Sequence, residues 1–139
     1  MAVDERGQLV VIDLSLQERE LIRGGLLEWG GSASYVPFPI EVLGIHDWPE
    51  FDGLTSRLRV AIEEALPLSD LDWARVLLLT EICFASSLIG SGLDFPIVTG
   101  IPDQEAITTL RSLQRKIGSS HRAGLLFPNA GRPRAVDTA

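Results

Sequence analysis

The chain has 139 residues, of which 45% are hydrophobic and 22% charged, a balance that fits one compact domain and excludes a disordered chain. Nineteen acidic against twelve basic side chains leave a net charge of −7, which opposes free binding to nucleic acid or to an anionic membrane. The one cysteine, Cys83, excludes an intrachain disulfide framework and a cysteine-type zinc site within one chain, and the start Met-Ala-Val-Asp-Glu-Arg lacks the pattern of a secretory signal, so a cytoplasmic location is expected.

Residues 9–14 (LVVIDL) are β-branched and apolar and predict a short strand. Ser15 and Glu18 then have the spacing of a capping box, so a helix is expected to begin at Leu16. Leu21, Ile22, Gly25, Leu26 and Trp29 draw its apolar stripe, and Gly30-Gly31 stops it. Gly24-Gly25 in its middle is costly, by about 1 kcal/mol per glycine relative to alanine, and implies either a close helix crossing or a bend.

Between Ser32 and Ile45 the pattern is irregular, with Pro37 and Pro39, and reads as a loop with at most one helical turn, at Ile40 to Leu43. Tyr35, Val36, Phe38 and Ile40 are its expected anchors. Asp47 and Glu50 repeat the capping-box spacing, Leu54, Leu58, Ile62 and Leu66 recur every fourth residue, and Pro67 ends this second helix. A third helix, capped by Ser69 or Asp70, is expected over 71–89, up to the break at Gly90-Ser-Gly92. It is apolar nearly all round and should be central. Residues 76–93 hold a single charge, yet their Ser, Thr and Gly content and the lack of a basic flank favour a packed core helix over a membrane span.

Residues 94–101 suit a loop or, at 95–99, a short edge strand. The last helix opens at Pro102 or Asp103, carries Ala106, Ile107, Leu110, Leu113 and Ile117 on one face, and stops at Gly118. The expected organisation is therefore a mainly α single domain over 1–118, with about four main helices and one or two short strands. A mobile basic tail over 119–139 would follow, docking through Leu125, Leu126 and Phe127 on the domain or on a second subunit.

Chemistry-bearing residues are sparse. Glu81 sits inside the most apolar helix, where a carboxylate is costly unless paired; it is either a general acid or base with a raised pKa, or the partner of an arginine such as Arg23, Arg57, Arg59 or Arg111, or on a helix face partly open to solvent. His46 and His121 have no helical ligand spacing, so no metal is expected. Cys83, between Ile82 and Phe84, reads as a buried apolar side chain. No phosphate-cradling or nucleophile-elbow motif occurs, and no cofactor is expected. Trp29, Trp48 and Trp73 lie near helix ends and are read as core or as partner contacts.

The charge is unevenly placed. Residues 1–105 carry eighteen acidic and six basic side chains, a balance of −12, whereas 106–139 carry one acidic and six basic: Arg111, Arg115, Lys116, Arg122, Arg132 and Arg134. This basic end would touch the acidic body, its own or a neighbour's, or an acidic partner. The functional expectation is a non-catalytic protein-binding domain, in size and charge like an acidic immunity or antitoxin-type inhibitor of a basic protein, with a homodimer conceivable. Two alternatives stand beside it: a small enzyme or ligand-binding domain with a pocket by Glu81 closed by the 32–45 loop, and a nucleic-acid-associated regulator using the basic last helix and tail.

Overall fold

The computed structural model describes residues 8–34 and 36–128. Tyr35, Arg132, Arg134 and the remainder of the expected tail beyond residue 128 lie outside them. Among the described residues the chain is mainly α, with six helices and one two-stranded antiparallel sheet. In order these are β1 (Leu9–Val10), α1 (Leu16–Glu28), α2 (Trp48–Glu63), β2 (Leu68–Ser69), α3 (Asp70–Ala85), α4 (Phe95–Thr99), α5 (Asp103–Ile117) and α6 (Ser120–Leu126).

Helix α3 is the hub, packed by α1, α5 and α6, while α2 packs against α1. The core is continuous, with Trp29, Phe51, Trp73 and Phe95 among its largest buried side chains. The glycine pair in α1 marks a close crossing. A Cβ at Gly25 would lie 3.6 Å from the Thr80 backbone of α3, and one at Gly24 3.2 Å from the Thr99 side chain of α4. The Thr80 hydroxyl, buried at this crossing, donates to Val76 O in its own helix and so needs no partner across it.

Four expectations need correction. The strand expected over 9–14 keeps its alternation of inward and outward residues, but only Leu9 and Val10 pair, with Ser69 and Leu68. Continued by one residue, that register would set Val11 against Pro67, which has no N–H to give, and Ser69 at the other end is already the N-cap of α3. The central helix, expected to reach Ile89, ends at Ala85. The Ser86 hydroxyl accepts the Leu88 and Ile89 amides and so offers the backbone an alternative to the helix.

Residues 95–99 are helix α4 and not a strand: Pro96 occupies the first turn, where its missing N–H costs nothing, and no strand lies beside them. Finally, residues 120–126 are a helix on α3. Ser119 caps it, accepting the Arg122 amide, and Leu126 is buried, with Leu125 and Phe127 packed against the core. The segment that suggested a dimer is thus covered by its own domain.

Candidate interaction surface

The two ends of α3 differ in chemistry. At its start, the N-termini of α1 and α3 meet the end of α5, and charge is paired across the junction. Glu18, only 2% exposed, closes the capping box: it accepts the Ser15 amide at 2.7 Å, while its own amide donates to the Ser15 hydroxyl. The same carboxylate accepts Lys116 Nζ at 2.6 Å and the Ser112 hydroxyl at 2.7 Å, both from α5. Burial by itself would raise this carboxyl, but the Lys116 ammonium and the hydrogen bonds of Ser15 and Ser112 outweigh it and bring it down to about 2.

Asp72, in the first turn of α3, binds both Arg57 nitrogens, at 2.8 and 3.2 Å, and Arg75 Nη1 at 3.0 Å. Burial opposes its ionisation, and the two guanidinium groups more than compensate, so the carboxyl stays below its ordinary value. Arg75 also donates to Leu43 O, which ties the 40–43 turn to α3. Asp70 accepts Arg122 from α6 at 2.9 Å.

These contacts show where part of the basic end goes. Lys116 lies on Glu18 and on Asp13 O, and Arg122 on Asp70 and Ile117 O, all within this chain. Arg111 and Arg115 are exposed on α5, Arg111 donating to Gln114.

Glu81 is half-buried on a face partly open to solvent, and it has none of the four arginines as its partner. One of its oxygens accepts Gln114 Nε2 at 2.7 Å, while Arg57 is held by Asp72, and Arg23 and Arg59 by Glu63. It does border a groove of about 270 Å³, otherwise mostly apolar, between α3 and the α5–α6 corner, with Leu77, Leu78, Arg122 and Leu126 among its walls. The cover of this groove is α6, and the 32–45 loop expected to close it is not among the lining residues. One carboxylate and one guanidinium, both already hydrogen-bonded, and a serine used as a cap line it, and none of these is set up as an activated nucleophile.

Trp29 and Trp73 present no surface to a partner: each is 1% exposed, with its indole N–H spent inside on Leu79 O and Val10 O respectively. Trp48 is half-buried at the start of α2, edge-on to Phe51. Cys83 is fully buried, and burial pushes its thiol above the ordinary value despite contacts from Ser91, which leaves it unreactive near neutrality. Asp47 caps α2 by accepting the Glu50 amide, and Glu50 binds His46. No group of three or more metal-ligating side chains, and no helix long and apolar enough to cross a membrane, occurs among the described residues.

The far end of α3 carries a feature that no motif announces. Leu88, Leu93 and Ile97 are 88%, 82% and 80% exposed, the three most exposed large apolar side chains among the described residues. They sit on a tightly built scaffold. Ser91 N donates to Cys83 O, Leu93 N to the Ser87 hydroxyl, and Phe95 packs edge-on against Phe84. A Cβ on Gly90 would fall 2.2 Å from Ile82 O, so the turn folds flat onto the end of α3 only because residue 90 is glycine. Leu93 and Ile97, four residues apart on a continuous helical run, share a face, and Leu88 adjoins the Ser87 contact with Leu93.

The stretch of chain that carries this platform has charge of one sign. From Val76 to Leu110 there is no Lys, Arg or His, and there are four acids, Glu81, Asp94, Asp103 and Glu105. Comparison of the chain with protein-family models, curated proteins and solved structures gives no match.

Proposed function

We propose that this domain is a non-catalytic protein-binding module that docks a basic partner on the Leu88, Leu93 and Ile97 platform. The observation that carries the reading is the exposure of three large apolar side chains on a hydrogen-bonded scaffold, inside a stretch with acidic but no basic residues. Exposed apolar groups of this kind cost solubility and are found together chiefly where a second surface covers them. The carboxylates of this stretch repel acidic proteins and speed encounter with a basic one. An immunity or antitoxin-like inhibitor of a basic protein is the specific form supported by the size and charge of the chain.

The groove beside Glu81 supports a second reading, a site for a small amphipathic ligand. Its one carboxylate among apolar walls would suit a cationic head and an apolar body.

The test uses the intact chain and a variant carrying Leu88→Ser, Leu93→Ser and Ile97→Ser, immobilised and exposed to host extract at about 0.05 and about 0.5 M salt. Because the three side chains are mostly in water already, the variant is expected to keep its unfolding midpoint. A partner held by the intact chain at low salt, weakened at high salt and lost with the variant supports the platform. Retention of the same proteins by both chains overturns it.

A further inference from the structure

The unfinished strand at the charged end leaves an opening that a second chain can use. Residues 9–14 run extended, with Val10, Ile12 and Leu14 turned inward and Leu9, Val11 and Asp13 outward. Beside Leu9 and Val10 lies β2, but among the described residues no strand lies beside the next four, whose carbonyls are met by side chains: Lys116 Nζ donates to Asp13 O and Arg19 to Leu14 O. The chain turns at Pro67 and Leu66 into the end of α2, and outside the two-residue ladder the amides of Val11, Ile12, Asp13 and Leu14 donate no hydrogen bond among the described residues. An N–H without a protein partner must be hydrated, since burying it unpaired costs several kcal/mol. In place of the missing strand is a groove of about 290 Å³, walled by residues 11–14 on one side and by Ala61, Ala65 and Leu66 of the α2 end on the other, with Trp73 also in its lining. Val11 is 75% exposed at its rim.

We propose that this groove is a strand-addition site that binds an extended peptide segment of a partner protein. The peptide backbone pairs alongside β2 with every second residue of the 11–14 run, the ones whose main-chain groups face the slot, and an apolar side chain on alternate residues fills the space against Ala61, Ala65 and Leu66. Two observations favour a peptide over a second copy of this chain. The opening is a slot between two elements, which a single extended strand can enter and the edge of a folded domain cannot. The area it offers is also far below the roughly 800 Å² per partner that a stable dimer buries. The charged lining residues are one acid and one base, Asp13 and Arg19, so selection rests on the apolar pattern and on main-chain pairing. This site is at the opposite end of α3 from the platform and does not depend on it.

The probe is a random linear peptide library panned against the intact protein, followed by the selected peptides in synthetic form, unmodified and with alternate amides N-methylated. Expected are sequences with apolar residues at every second position, and slowing of amide exchange by at least about tenfold at alternate amides within Val11–Leu14 when peptide is added. Binding should fall by at least about tenfold on N-methylation and in the Leu66→Glu variant, whose replaced side chain is half exposed and whose unfolding midpoint should not move. The platform variant with three serines should bind these peptides as well as the intact chain does. No selected peptide, protection mapped elsewhere, or unchanged affinity of the N-methylated peptides each overturns the proposal. So does protection of Val11–Leu14 that rises with protein concentration alone, because the occupant would then be a second copy.

Discussion

The start and the end of α3 are held by different forces, and each leaves a different surface. At the start, buried carboxylates of α1 and α3 meet Lys116, Arg57, Arg75 and Arg122, with acids at helix N-termini and a lysine at a helix C-terminus, as the backbone dipoles favour. At the end, no ion pair contributes among the described residues; hydroxyls, backbone bonds and one glycine fold the turn, and the side chains of Leu88, Leu93 and Ile97 face water. A junction held by paired charges consumes its functional groups, whereas one held by backbone geometry can display them.

Four changes would break or sharpen that contrast. Gly90→Ala should be the most damaging, at about 3–4 kcal/mol, because the new methyl collides with the Ile82 carbonyl and the turn cannot lie on α3. Chemical denaturation would measure this loss, and one below about 1 kcal/mol would show that the turn yields.

Glu18→Gln should cost about 3 kcal/mol near neutral pH. The Glu18 carboxyl, at about 2 when folded against 4.5 ordinarily, contributes stability that is complete above pH 4.5 and lost as pH falls toward 2. The gap between variant and parent should therefore close over that interval, and a gap of constant size would contradict the assignment.

Asp72→Ala should cost about 2 kcal/mol, less than Glu18 because Arg57 is half exposed and its pairing is screened. Ala65→Gly should instead stabilise by about 0.5–1 kcal/mol: Ala65 holds φ at 55°, in the left-handed region where a Cβ is strained. Thermal unfolding would register this as a small rise in midpoint.

What the sequence made legible was local. The Ser15 and Glu18 spacing predicts a capping box, and both of its bonds are present. The same spacing says nothing of Ser112 and Lys116, which reach Glu18 from 94 and 98 residues away and convert a surface cap into a buried ion pair. Asp72 was overlooked for the same reason: Arg57 and Arg75 gather around it only once α2 and α3 have packed. Ile97 and Val98 carry β-branched side chains and suggest a strand, yet Pro96 at a helix start and the lack of a neighbouring strand decide for helix. The platform was hidden because exposure has no periodicity. Leu88 and Leu93 look in sequence like the continuation of an apolar core helix, and Ser86 and Gly90 turn them outward.

The pairing of Leu9 with Ser69 has a kinetic consequence. It joins two residues sixty positions apart through a sheet only two residues long, so its loop closes late, after helices whose own contacts are local have formed. Once formed it is held by that short ladder and by side-chain bonds from Trp73 to Val10 O and from Lys116 to Asp13 O, so it should open before the helices do. Opening there frees residues 8–14 while α2 and α3 stay folded, which makes the extended segment the natural entry point of unfolding and the place where a protease would make its first cut.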